Sequence, residues 1–231
     1  MFKEFTLALS DIVYPKVCPC CDSSLSLQEH DICFKCRVSL PFTDFHTYDN
    51  NPVAQAFWGK IPIEATTALL HFQKAGMVQS LLHELKYRRK KDIGIFLGKQ
   101  LAYQLSEHPV FQTVDKVIPV PLHPKKQRKR GYNQSSIIAQ GFCSIHRAKL
   151  SENVLIRNHF TATQTKKNRW QRWNNVDGRF LLKYPKLINE KHILLIDDVV
   201  TTGSTLEACA KVLLTAQNVR ISIATVAFAE L

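Results

Sequence analysis

The sequence predicts an α/β fold: a parallel sheet flanked by helices, with a small four-cysteine module at its N-terminal end. Three observations predict it. Ile193–Ile196, with His192 at its mouth, is a short apolar run that ends in turn residues and a helical pattern, as strands do in the centre of a parallel sheet. Other strand-like runs alternate with stretches of helical periodicity. Two C-x-x-C pairs, Cys18/Cys21 and Cys33/Cys36, lie near the start of the chain with eleven residues between them.

Taken in order, MFKEFTLALSDIVYP places Phe2, Phe5, Leu9 and Ile12 at helical spacing, while Glu4 and Asp11 interrupt the apolar core a signal peptide needs. It reads as a docking helix. No run resembles a membrane span, so the expectation is a cytoplasmic protein without membrane insertion. Four thiolates in two knuckles, Cys18, Cys21, Cys33 and Cys36, suit one tetrahedral Zn2+. A disulfide pair or redox dithiol is the alternative, but disulfides belong to exported chains and a redox pair needs no twin. Cys20 forms a C-x-C with Cys18, leaving open whether Cys20 or Cys21 ligates; Cys21 preserves the symmetry of the two knuckles. Residues 1–50 thus form a helix and a zinc module that relies on the metal to fold. The polar, proline-containing FTDFHTYDNNPVAQAFWGKIPIE marks the boundary before a larger domain over 60–231. His46, beside four available cysteines, reads as a surface residue.

Ala65–Gln73 has strand character. Gly76–Lys86 reads as a helix with Met77, Leu81, Leu82 and Leu85 on one face. KYRRKK follows, either a solvated turn or an anion contact. Asp92 then caps a helix carrying Ile93, Phe96, Leu97, Leu101 and Leu105. Lys116–Pro121 is a strand forced into an extended exit by its prolines. The basic loop after it, LHPKKQRKRGYNQ, holds Lys125, Lys126, Arg128, Lys129 and Arg130 at the carboxyl end of that strand, where ligands of such folds bind, with Gly131 as its hinge. The next helix has Ile137, Ile138, Phe142 and Ile145 on its apolar side. Cys143 and Cys209 read as packing residues on helices. After a short strand at Val154–Arg157, HFTATQTKKNRWQRWNN interleaves Trp170 and Trp173 with Lys166, Lys167, Arg169 and Arg172. That mixture suits stacked bases of a nucleic acid, or else a tryptophan cap on the core with cations facing water. Phe180–Leu182 and Arg220–Phe228 complete the strands.

The chemistry concentrates in KHILLIDDVVTTGSTL. The strand is expected to stop at Asp197 and Asp198, and a loop of Thr201, Thr202, Gly203, Ser204 and Thr205 opens a helix with Leu206, Cys209, Ala210, Leu213 and Leu214 at core spacing. Ser204 and Glu207 fit a capping box. A loop entering a helix offers unpaired N–H groups and the positive end of the helix dipole to a phosphate. Gly203 permits close approach and the hydroxyls add donors. Two carboxylates accept only: they repel phosphate but bind a vicinal diol. Acid pair and loop together suit ribose 5-phosphate; the plain alternative is a strand–turn–helix with a solvated acidic turn.

At 231 residues, 45% of them apolar, the chain can bury one substantial core beside a small module. Its net charge of +12 calls for an anionic partner, and three loop clusters hold fourteen of the 31 cations.

LLIDDVVTTGST resembles the phosphoribosyl-diphosphate (PRPP) motif of type I phosphoribosyltransferases. The four-cysteine module, LKYRRKKDIG, VIPVPLHPKKQRKRGYNQ and TATQTKKNRWQRWNNVDGRF, with DDVVTTGST, appear in the order that resembles the ComF family of competence proteins and their GntX-like relatives. The resemblance implies a type I phosphoribosyltransferase fold and a role in natural transformation, handling internalised single-stranded DNA. It implies that Asp197 and Asp198 bind the ribose hydroxyls and serve any catalysis, and that Thr201–Thr205 hold the 5-phosphate. Lys125, Lys126, Arg128 and Arg130 become candidates for pyrophosphate or nucleic-acid contact, as do Trp170 and Arg172 for nucleic acid, with Mg2+ riding on the diphosphate if turnover occurs. Two other functions compete: an active phosphoribosyltransferase with an unidentified acceptor base or nucleotide, and a zinc-module adaptor for competence or recombination proteins. The extra Cys20 departs from the family pattern.

Overall fold

Residues 192–200 alternate between two buried faces, and this explains their unbroken apolar run. In the computed structural model, which describes residues 16–157 and 179–230, Leu194 and Ile196 join one core cluster while Ile193 and Leu195 join the other. Along the chain the elements are α1 (Phe34–Val38), α2 (Pro52–Gln55), β1 (Thr66–His71), α3 (Met77–Tyr87), α4 (Lys91–Gln104), α5 (Pro109–Gln112), β2 (Lys116–Pro119), α6 (Pro124–Arg130) and α7 (Gln134–Cys143). Then come β3 (Lys149–Leu150), β4 (Leu155–Arg157), β5 (Phe180–Leu182), β6 (His192–Val200), α8 (Ser204–Leu213) and β7 (Arg220–Phe228). The strands expected from periodicity are all present.

Five strands form a parallel sheet in the order β1–β7–β6–β2–β3, and β4 pairs antiparallel with β5. From β2 the chain proceeds to one edge and from β6 towards the other. Their carboxyl ends therefore flank the point where the winding reverses, the place where open α/β sheets form a crevice. One face is covered by α3, α4 and α7, with Leu81, Leu85, Leu97, Leu101, Ile138 and Phe142 on Leu69 and Val117. Cys18, Ile32, Cys33, Cys36 and Leu40 belong to that same cluster, and Phe42 bridges to Leu70, so the described part of the cysteine segment shares a core with α3 and α4. The opposite face packs Val53, Phe57, Leu206, Cys209 and Leu213 on Ile118 and Ile223. The helices α4 and α7 cross in backbone contact: a Cβ on Gly98 would strike the Ile138 carbonyl, and one on Gly141 the Ile95 carbonyl.

Several local expectations are corrected. The β6 strand does not stop at the acid pair, because its ladder with β7 continues through Asp197–Thr225 to Val200–Phe228. It is the β2 ladder that stops, at Pro119–Ile196, followed by one bond from Val120 N to the Ile196 carbonyl (2.8 Å); Pro121 has no N–H to extend it. The Ser204/Glu207 box is absent: Gly203 takes the N-cap in the left-handed region, Ser204 falls inside the helix, and Glu207 pairs with Lys211 at 2.6 Å. Asp92 lies within the first turn of α4, whose N-cap is Lys90. The basic loop is a helix, α6, started by Pro124 at its first positions, and Gly131 is its left-handed C-cap (φ 87°) rather than a hinge. Ile145 is exposed beyond the end of α7. Cys209 is buried and Cys143 half-buried. The expected N-terminal helix, and Lys166, Lys167, Arg169, Trp170, Arg172 and Trp173, lie outside the described residues.

Candidate functional site

The site forms where β6 outruns β2. On β6, Asp198 shares the face of Leu194 and Ile196, which looks towards α3. There its Oδ2 pairs with the Lys86 ammonium in the last turn of α3. Asp197 Oδ1 accepts two bonds, from Ser135 Oγ (2.8 Å) and from the Asp198 N–H (2.8 Å). Burial pushes the Asp197 carboxyl up to about 8 and the negative neighbour Asp198 adds to the rise, while the Ser135 and Asp198 donors pull the other way.

Ser135 is placed by the turn between α6 and α7. Asn133 caps α7, accepting from Ser135 N at 3.2 Å, and donates its Nδ2 to the Val120 carbonyl at 2.9 Å, which fixes the cap to the end of β2. Tyr132, one residue earlier, donates its hydroxyl to the Leu85 carbonyl, next to Lys86. Arg130 lies 5.5 Å over the Tyr87 ring and donates to Gln134. LKYR, RGYNQ and the acid pair, far apart in sequence, are thus one bonded cluster.

Beyond Val200, Gly203 has φ 74°, and an added Cβ would come within 2.9 Å of the Phe57 ring and 3.2 Å of the Ala56 Cβ. The loop is therefore pressed against residues 56–57 on its inner side, and Thr201, Thr202, Ser204 and Thr205 are left exposed. Thr202 and Ser204 share a hydroxyl bond of 2.8 Å at the start of α8. The arrangement puts hydroxyls and a ten-residue helix N-terminus beside two carboxylates. Of the four cations expected to contact pyrophosphate or nucleic acid, Arg130 is half-buried against Tyr87 and Gln134; Lys125, Lys126 and Arg128 stay exposed on α6, which buries none of its residues.

Sequence reasoning missed the roles of Lys86, Tyr132, Asn133 and Ser135. In the sequence Lys86 ends a helical pattern and begins a basic run, and its pairing with Asp198 depends on how α3 is set on the sheet. Ser135 lies 62 residues from Asp197, and no local pattern announces the contact.

At the other end of the core, the Sγ atoms of Cys18, Cys21, Cys33 and Cys36 lie within 4.8 Å of one another, with Cys21 and Cys33 3.7 Å apart. Four sulfurs around one Zn2+ at bonding distance stand about 3.8 Å apart, so the donor set fits a structural ion. Backbone N–H groups already point at the sulfurs, Cys33 N at Cys18 (3.5 Å) and Cys36 N at Cys33 (3.4 Å). The Cys20 thiol lies instead against the Met77 carbonyl at 3.9 Å.

Residues 143–230 match the family model described as phosphoribosyl transferase domain. Over 218 residues the chain is 27% identical to the DNA utilization protein YhgH of Escherichia coli O6:H1, covering 88% of this chain and 92% of that protein. It is 36% identical over 100 residues to competence protein F of Haemophilus influenzae, 42% of this chain and 43% of that one. Among solved structures, the allosteric regulatory enzyme of purine biosynthesis superposes with a TM-score of 0.40 at 20% identity, over 56% of this chain; the chain spans 25% of that enzyme's length.

Proposed function

We propose that this chain, which belongs to the ComF family of phosphoribosyltransferase-like proteins, binds a PRPP-like phosphoribosyl ligand at the carboxyl edge of its sheet and handles internalised single-stranded DNA in natural transformation. One observation carries the ligand: an acid pair and a hydroxyl-rich helix-opening loop stand together at the switch point between β2 and β6. Asp197 and Asp198 accept the ribose hydroxyls. The N–H groups and hydroxyls of Thr201–Thr205 take the 5-phosphate. The DNA role is supported by the names of the relatives, DNA utilization and competence, by the net charge of +12, and by the exposed cations of α6. In this reading residues 1–50 are a Zn2+-held module and 60–231 the ligand-binding domain. Among the described residues no helix is long and apolar enough to cross a membrane.

Calorimetric titration of PRPP into zinc-loaded protein tests the ligand reading, with loss of binding expected in Asp198→Asn; a folded wild type that binds nothing sinks it. Binding of an oligothymidine should weaken steeply as salt rises, whereas PRPP binding should respond less.

The acid pair favours a second reading, turnover. Pyrophosphate would leave C1 of PRPP through an oxocarbenium-like centre as an acceptor base or nucleotide bonds to that carbon, with nearby cations stabilising the growing charge of the leaving group. A third, the adaptor, draws on the exposed Leu27, Phe34 and Val38 of the cysteine segment.

A further inference from the structure

We infer that Lys86 is the resident cation of the acid pair, and that it allows the site to hold a phosphoribosyl ligand without a divalent metal. The inference rests on the proposed ligand and adds the means by which its charge is balanced.

The position of Lys86 is built rather than incidental. It ends a helix, where the backbone dipole favours a cation. The turn that carries it is pinned by fully buried Leu85, whose carbonyl accepts from Tyr132. Tyr132 belongs to the same turn whose Asn133 and Ser135 hold Val120 and Asp197. The ammonium, the acid pair and the end of β2 are therefore set by one group of bonds and cannot drift independently.

That arrangement leaves a divalent cation one oxygen of each carboxylate. Mg2+ demands near-octahedral oxygen ligands and is held by one or two carboxylates together with substrate phosphates and water. Here Asp197 Oδ1 already accepts two hydrogen bonds, and Asp198 Oδ2 already faces Lys86. The Lys86 ammonium already supplies a positive charge at Asp198. With 24% of its side chain exposed, Lys86 is neither sealed in nor free. An ammonium has three N–H donors, so contact with Asp198 leaves others for a ligand's hydroxyl or phosphate oxygen. The raised Asp197 carboxyl is consistent with this balance, since a pair that retains a proton needs one cation rather than two.

The test is calorimetric titration of PRPP into zinc-loaded wild type, in buffer freed of divalent ions by a chelating resin and again in millimolar Mg2+. The two dissociation constants should agree within about threefold. Binding more than about tenfold weaker without Mg2+ overturns the inference. Lys86→Met should bind at least about tenfold more weakly in the metal-free buffer, and Lys86→Arg should recover part of that loss. A folded Lys86→Met that binds as wild type does also overturns it. Thermal melting checks folding, and if Lys86→Met does not fold the two wild-type titrations decide alone. Wild type that binds PRPP in neither buffer removes the proposed ligand itself, a failure distinct from a Mg2+ requirement.

Discussion

Tyr132 donates its phenol to the Leu85 carbonyl across 47 residues of chain. This bond joins the helix bearing Lys86 to the turn bearing Asn133 and Ser135, and so holds the cation and the hydroxyl that contact the two aspartates. Tyr132 is 7% exposed, and its ring also receives the Lys91 ammonium at 5.2 Å.

Tyr132→Phe should keep the packing and lose the bond. It should destabilise the fold by about 1–3 kcal/mol, since the Leu85 carbonyl is left buried without that donor. Urea denaturation checks the loss, and PRPP affinity should fall with it. A variant as stable as wild type would show that the bond does not join the two elements.

Asp197 gives a pH signature. Its folded carboxyl is raised to about 8, against about 3.9 for an unfolded aspartate. Between those values the folded state binds more protons than the unfolded one, so this group's stabilising contribution is complete at low pH and falls as pH rises to about 8. Asp197→Asn has no such titration. Subtracting the two denaturation profiles should give a difference that grows from pH 4 to pH 8 in favour of the variant. A pH-independent difference would contradict the assignment.

Gly203→Ala meets two penalties, a left-handed φ of 74° and the Phe57 ring at 2.9 Å. A loss of about 1–3 kcal/mol is expected, together with weakened PRPP binding as the loop moves off Phe57. Gly59→Ala serves as a control: it shares a positive φ (68°) but its Cβ would meet nothing within 4 Å. The smaller loss should fall on Gly59→Ala, and equal losses would remove Phe57 from the argument.

The thiols make the fourth prediction. Cys21→Ser should abolish one equivalent of zinc and lower the melting temperature, because classical four-ligand sites contribute folding energy directly. Cys20→Ser should keep the metal, as its sulfur lies against the Met77 carbonyl and outside the cluster of four sulfurs. Metal analysis after dialysis decides; the reverse pattern would exchange the roles of Cys20 and Cys21.

What was legible in the sequence followed from period and chemistry. The apolar faces of α3 and α4 and the two-sided burial of β6 are written in spacing, as are the two cysteine knuckles. The end of β6 was not, because Asp197 and Asp198 look like a turn until β7 is seen pairing beside them. The helical form of 124–130 was hidden by its cations, which suggest a loop, although Pro124 and Gly131 are the start and stop signals of a helix. The candidate site was half legible. The carboxylates and the hydroxyl loop adjoin in sequence and adjoin in space. Lys86, Tyr132 and Ser135 reach them only through tertiary packing, which no local pattern encodes.

The central claim is the location of the phosphoribosyl ligand, and an amide chemical-shift titration tests it most directly. Ribose 5-phosphate added to isotope-labelled, zinc-loaded protein should shift the amides of Thr201–Thr205 and Asp198 saturably, with one ligand per chain. Shifts confined to α6 or the cysteine segment, or none at all in a folded sample, would contradict the account.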